Sequence, residues 1–225
     1  MLGKISFKIW NCYNVNMLSS NEELVDFLVD NGVLKTSAII DAFITIDRKD
    51  FVPVSVKNQA YENIPLPIGH GQTISQPWTV AFMLEFLSPE YGHNILDIGS
   101  GSGYQAALLA KIVGDDGHVV SLDIVPELKI MASRNNYKYG YIKRGTLEFH
   151  CLSAEFGYKD KAPFDRIISA ASSIQIPDSW LKELKISGRL VAPVDSEIKV
   201  VEKIAEDELE EESYEGFAFV PFISQ

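Results

Sequence analysis

Ile95-Leu96-Asp97-Ile98-Gly99-Ser100-Gly101-Ser102-Gly103-Tyr104-Gln105-Ala106 decides the fold. A short apolar run meets three alternating glycines, and a helix-forming stretch from Tyr104 to Ile112 begins directly after them. That is a buried strand over Ile95 to Ile98, a tight turn and a helix. The alternation continues downstream: His118 to Asp123 reads as a strand, Glu127 to Asn136 as a helix, and Thr146 to Cys151 and Phe164 to Ser169 as strands. A short helix is expected at Trp180 to Leu184, capped by Asp178 and ended by Gly188, ahead of a strand at Leu190 to Pro193. Strands alternating with helices imply parallel βαβ units, so the fold class is α/β: a mostly parallel twisted sheet flanked by helices. The C-terminal part breaks the rhythm. Ile198 to Ala205 and Phe217 to Phe222 are apolar-patterned with no helix between them, which predicts an antiparallel hairpin at the sheet edge. The acidic stretch Glu206 to Glu215, seven carboxylates and no base, reads as its solvated connection.

Upstream, Pro77 to Leu87 is a helix with Val80, Ala81, Met83, Leu84 and Leu87 on its apolar face. Phe51 to Gln76 is loop-rich, and a connection this long in a compact domain tends to carry function. Ala38 to Ile46 reads as a short helix capped by Thr36. Ser20 and Glu23 form a capping box for a helix through Leu24, Phe27 and Leu28 that stops by Gly32. Residues 1–18 show no clear period and are set apart as a leader without assigned role, Met17 offering a second start. Residues 19–225 are expected to form a single domain in which 19–76 is an N-terminal helical and loop extension.

Of the 225 residues 46% are hydrophobic and 23% charged, a globular composition. The net charge of −11 has the wrong sign for a phosphate backbone, so no nucleic acid is expected as partner. The acidic stretch supplies seven of those charges and the remainder carries −4, so the balance says little about a small ligand. Two cysteines, Cys12 and Cys151, make no disulfide framework and point to a reducing, cytoplasmic setting. No apolar run approaches the roughly 18–20 residues of a membrane helix. Lys8 and Asn11 interrupt the N-terminal apolar stretch, so no secretory signal is expected either. His93, His118 and His150 lack metal-ligand spacing, and no metal is expected. A monomer is expected.

The glycine turn lies where open α/β sheets bind ligands, at the carboxyl end of a strand. The next strand ends in Asp123, about 20 residues past Gly103, as suits a carboxylate that accepts both hydroxyls of a ribose. The pair points to an adenosine-type ligand rather than an empty turn. Gly101-x-Gly103-x-x-Ala106 could pass as a dinucleotide fingerprint. Asp97, two residues before Gly99, argues against a pyrophosphate and for a ligand carrying an ammonium group. S-adenosylmethionine has an amino group, a sulfonium and no phosphate.

Asp97-Ile98-Gly99-Ser100-Gly101-Ser102-Gly103 resembles the first motif of the Rossmann-like class I methyltransferases. Upstream, Asp50-Phe51-Val52-Pro53, Ala60-Tyr61 and Leu66-Pro67-Ile68-Gly69-His70-Gly71-Gln72-Thr73-Ile74-Ser75-Gln76-Pro77 resemble the protein-L-isoaspartate O-methyltransferases. Ala162-Pro163-Phe164-Asp165, Gly188-Arg189-Leu190-Val191 and Phe219-Val220-Pro221 extend that likeness from about Ser20 to Phe222. The resemblance implies methyl transfer from S-adenosylmethionine to the free α-carboxylate of L-isoaspartyl residues in damaged peptides and proteins. The products are S-adenosylhomocysteine and an ester that closes to a succinimide, whose hydrolysis returns part of the material to normal aspartate.

On this resemblance Ser75 is the active-site residue, with Ile68, Gln72, Thr73 and Ser75 on the substrate. Ile74, Ser75, Asp97, Gly99, Ser100, Gly101, Asp123, Ile124, Ser153 and Ala154 would hold the cofactor. No base is needed, because a carboxylate with a pKa near 4 is already ionised at neutral pH. Ser75 therefore reads as an orienting donor, and its plain alternative is a helix N-cap. Free backbone N–H groups at the start of the following helix are expected to help hold the anion. Trp78 reads equally as a wall of the pocket or as core, and His70 as a surface loop residue. Leu152-Ser153-Ala154 stands where the family has Gly-Asp-Gly, and Val194-Asp195 where it has Val-Gly. Loss of that acid is expected to weaken cofactor binding about tenfold. Two other readings are a catalytically weak module that binds isoaspartyl chains, and an NAD-dependent oxidoreductase. Against the second, no Tyr-x-x-x-Lys or similar catalytic group is evident.

Overall fold

The computed structural model describes residues 18–222. The expected leader, apart from Leu18, therefore lies outside the described residues, as do Met17 and Cys12.

The chain opens with α1 (Asn21–Asp30) and α2 (Ser37–Thr45). Ser20 caps α1, its hydroxyl accepting from the Glu23 amide at 3.2 Å. The reciprocal half of the capping box is displaced by one residue: the Glu23 carboxylate accepts from the Ser19 amide at 2.7 Å. Thr36 holds the cap position of α2 without capping it, since its hydroxyl donates to Glu85 at 2.7 Å instead. The stretch expected as loop contains the antiparallel hairpin β1 (Leu66–Gly69) and β2 (Gln72–Ile74). Its turn, Gly69-His70-Gly71, has all three residues at positive φ, a geometry in which glycine is unstrained. Then comes α3 (Pro77–Leu87), with the predicted bounds.

Among the described residues seven further strands form one sheet. They are β3 (Asn94–Ile98), β4 (His118–Asp123), β5 (Leu147–Cys151), β6 (Phe164–Ser169), β7 (Leu184–Val194), β8 (Glu197–Ala205) and β9 (Glu208–Glu215). The order across the sheet is β5-β4-β3-β6-β7-β8-β9, parallel from β5 through β7 and antiparallel beyond. Between the strands lie α4 (Tyr104–Val113), α5 (Pro126–Asn136), α6 (Tyr141–Arg144) and α7 (Asp178–Glu183). The central strands β3, β4 and β6 are buried on both faces, which is why they read as apolar runs. Ile95, Val119, Ile168 and Val191 pack under α1 to α5, whereas Leu96, Val120, Ile167 and Leu190 pack with Trp180 of α7.

Three expectations are corrected. Asp178 is the first residue of α7, and the cap position is Pro177. Gly188 does not end that helix but lies inside β7, which is longer than expected; Phe164 pairs with Leu184 while Arg166 pairs with Arg189, and Ser187 at φ 63° takes up the irregularity. The hairpin at the sheet edge is present, but its outer strand is the acidic stretch itself. Glu208, Glu210, Glu211 and Glu212 are exposed on β9, and Tyr214 is its one buried residue. Charge on an edge strand costs nothing in solvent and prevents pairing with other chains. Phe217 to Phe222 is thereby released from the sheet. It crosses the ends of the parallel strands, with Ser172 and Pro221 bridged and the Ser172 amide donating to the Val220 carbonyl at 2.8 Å.

Candidate functional site

The order in which strands are added reverses between the parallel neighbours β3 and β6, and a crevice opens there at their carboxyl ends. It holds a cavity of about 940 Å³. One wall is Gly99, Gly101, Asp123, Ile124 and Ala154 at the strand tips; the opposite wall is Gln72, Thr73, Ser75 and Trp78; Phe217 to Phe222 covers the space between.

Gly99 and Gly101 sit at φ 85° and 51°, which lets the turn double back beneath the cavity. The turn is tied to β4: the Gly99 and Ser100 amides donate to the Leu122 carbonyl at 2.8 and 2.9 Å. The Gly101 amide donates to an Asp123 carboxylate oxygen at 2.8 Å, and the Gly103 amide to the Ser100 carbonyl at 2.7 Å. A dinucleotide site would point such amides at a pyrophosphate; here four of them are already bonded within the chain. Among the described residues the cavity lining contains two carboxylates, Asp30 and Asp123, and no lysine, arginine or histidine. That charge pattern opposes phosphate and accepts an ammonium or sulfonium group.

Asp123 is nearly buried, and burial raises its pKa above the usual carboxylate range against the backbone hydrogen bonds that lower it. The second of those bonds comes from the Val125 amide at 2.9 Å. Each carboxylate oxygen has two lone pairs, so both retain accepting capacity toward a ligand.

Five predicted residues stand behind the lining. Asp97 is fully buried and accepts from Gln105 Nε2 at 2.7 Å and Ser121 Oγ at 2.6 Å. Burial pushes its pKa up to about 6. Ser100 shares a 2.7 Å hydrogen bond with Ser121, which completes a buried polar network under the turn. Ile68 is buried, with Cδ1 3.4 Å from where a Cβ on Gly101 would lie, and Ile74 is buried too. Ser153 is half-buried and its hydroxyl accepts from the Glu155 amide at 3.3 Å, capping the turn that places Ala154.

Ser75 lies one residue before the cap position of α3, which is Gln76. Its hydroxyl has no hydrogen-bond partner among the described residues and belongs to the cavity lining. The helix offers fewer free donors than expected, because Pro77 has no N–H and the Trp78 amide donates to Asn63 Oδ1 at 3.0 Å. Trp78 both lines the cavity and stacks on Phe82 and Phe217. His70 is exposed at the tip of the β1–β2 turn, away from the lining.

Sequence reading passed over Arg48, Asn63 and Asp30. Arg48 adjoins the quoted Asp50-Phe51-Val52-Pro53 motif, yet nothing local signals that its side chain points inward. Phe217 to Phe222 was noticed, but as a strand.

The profile of the family described as Protein-L-isoaspartate(D-aspartate) O-methyltransferase (PCMT) matches residues 19–225. A protein-L-isoaspartate O-methyltransferase of Methanopyrus kandleri is 38% identical over 210 residues, 92% of each chain. One from Aliivibrio salmonicida is 40% identical over 216 residues, 92% of this chain and 98% of its own. Among solved structures, a Plasmodium falciparum protein assigned to the same activity and crystallised with S-adenosyl-L-homocysteine superposes with a TM-score of 0.83. It shares the fold at 20% identity, over 92% of this chain and 99% of its own. With the family profile spanning the described domain and relatives near 40% identity over nine-tenths of the chain, this chain belongs to the protein-L-isoaspartate O-methyltransferase family.

Proposed function

We propose that the protein transfers a methyl group from S-adenosylmethionine to the free α-carboxylate of L-isoaspartyl residues in peptides and proteins, a repair reaction. The observation that carries this reading is one cavity joining the Gly99–Gly101 turn and Asp123 to a Ser75 hydroxyl that, among the described residues, has no partner, with no basic side chain of those residues in the lining. When bound, S-adenosylmethionine supplies an electrophilic methyl group on a cationic sulfur. Asp123 would take the ribose hydroxyls, and Gly99 and Gly101 would let the backbone approach the ligand. Ile124 and Ala154 would flank the base. Asp97, Ser100, Ile74, Ile68 and Ser153 act from behind, by holding the turn and the β5 tip in place.

On the opposite wall the Ser75 hydroxyl donates to the substrate carboxylate and fixes its direction, beside Gln72 and Thr73. The attacking oxygen is ionised before it arrives, so the chain's work is positioning and removal of water. Phe217 to Phe222 and Trp78 form the apolar cover that excludes water. Among the described residues no helix is long and apolar enough to cross a membrane, and the exposed free thiol of Cys151 suits the reducing cytoplasm.

The test is to incubate the protein with labelled S-adenosylmethionine and two peptides that differ only in one isoaspartyl linkage. Base-labile label in the isoaspartyl peptide alone is expected. Label in neither, or in both equally, overturns the reading, and binding without transfer selects the module instead.

A further inference from the structure

The Arg48 side chain is fully buried, yet among the described residues no carboxylate touches it. Its guanidinium instead gathers backbone carbonyls from two separate segments. Nη1 donates to Ala60 at 2.6 Å and, more weakly, to Glu62 at 3.5 Å; Nη2 donates to Ile64 at 3.0 Å and to Ser75 at 3.2 Å. Burying a guanidinium without a counter-charge is costly, and carbonyl dipoles are what this site offers in return. Only a planar fork spans these acceptors at once, which a lysine ammonium does not do.

The same junction is held from its other side. Asn63 Oδ1 accepts from the Trp78 amide at 3.0 Å, and the Asn63 carbonyl accepts from Gln76 Nε2 at 3.0 Å. Segment 60–64 is therefore tied to Gln76 and Trp78 by two direct hydrogen bonds and, through Arg48, to the Ser75 carbonyl. The residue so held is the one whose hydroxyl stands free in the cavity.

We infer that Arg48 and Asn63 form a clasp that sets the direction of the Ser75 hydroxyl. They are positioning residues that touch neither ligand. The inference rests on the methyl-transfer reading above. The clasp contacts Ser75 through its carbonyl and does not reach the strand tips assigned to the cofactor. Orientation matters steeply in such reactions, since small misplacements cost large factors in rate. Breaking the clasp should therefore reduce turnover while leaving cofactor affinity intact.

The experiment compares Arg48→Lys and Asn63→Ala with the parent by three readouts: kcat and KM on an isoaspartyl peptide, S-adenosylhomocysteine affinity by calorimetry, and amide hydrogen exchange at Trp78. Arg48→Lys is expected to lower kcat at least twentyfold, and Asn63→Ala about fivefold. Affinity for S-adenosylhomocysteine should stay within twofold, and Trp78 exchange should quicken in both. Asn63 is only half-buried, so its variant carries the test if Arg48→Lys does not fold. Unchanged kcat in a folded variant, or affinity that falls in step with kcat, overturns the clasp. A parent that leaves the peptide unmethylated overturns the function reading instead, and unchanged Trp78 exchange in the variants then separately removes the clasp.

Discussion

At the scale of single residues, the two side chains that matter most have opposite surroundings. Ser75 offers an unpartnered hydroxyl to the cavity, so Ser75→Ala deletes one hydrogen bond to an anion and nothing from the core. Such a bond is worth about 1.5–3 kcal/mol, which corresponds to a loss of roughly 10–100-fold in kcat at nearly unchanged S-adenosylhomocysteine affinity. Steady-state kinetics with an isoaspartyl peptide checks this, and a variant turning over at the parental rate removes Ser75 from the site. Asp97 is fully enclosed, and burial lifts its pKa to about 6, with nearby Asp123 adding a smaller push. A carboxyl whose folded pKa exceeds its unfolded value stabilises the fold at low pH, and that contribution disappears as pH rises through the folded pKa. Asp97→Asn stays neutral throughout, can still accept from Gln105, and can donate to Ser121 in place of accepting. Its stability relative to wild type should therefore increase by about 2 kcal/mol between pH 4 and pH 7. Urea midpoints at unit pH steps measure this, and parallel curves refute the buried-charge account.

At the scale of elements, β9 shows how a segment with poor strand propensity is recruited. Its carboxylates stay in water and its backbone pairs with β8 over the whole length. Tyr214 anchors it, packing against Phe82 at 5.4 Å and Phe86 at 4.4 Å between ring centroids. The chain leaves β9 directly into the cover of the cavity, so the anchor of the strand is also the anchor of the cover. Tyr214→Ala should cost about 3–5 kcal/mol of stability and raise KM for the peptide severalfold. Thermal unfolding and kinetics test the two halves separately; a lower melting temperature with unchanged KM would uncouple the strand from the cover.

At the scale of the whole molecule, the cavity joins two parts of different origin: strand tips of the sheet, and the N-terminal segment that carries β1, β2 and Ser75. A ligand seated between them stabilises the folded state by mass action. S-adenosylhomocysteine at 100 times its Kd should add about 2.7 kcal/mol, or roughly 5–10 °C in Tm for a domain of this size. Hydrogen exchange should slow at the Gly99–Gly101 turn and also in the cover at 216–222. Protection limited to the turn would contradict a continuous cavity.

The parallel core and the family are legible in the amino-acid order. Ile95 to Ala106 and Asp123 are local patterns, and α3, β4 and β6 follow the apolar periodicity with the bounds read from it. These features depend on neighbours within a few residues, so they are legible in one dimension. What lies at the edges emerges only once the chain is folded. Seven carboxylates read as loop because Glu disfavours strands, yet exposure at the outer side of β8 removes that penalty. Phe217 to Phe222 read as strand because its apolar residues must be covered, and only the folded chain shows that they cover a cavity. The inward turn of Arg48 has the same cause. Its partners lie 12 to 27 residues away, and no local propensity records carbonyls that converge only after the chain has folded.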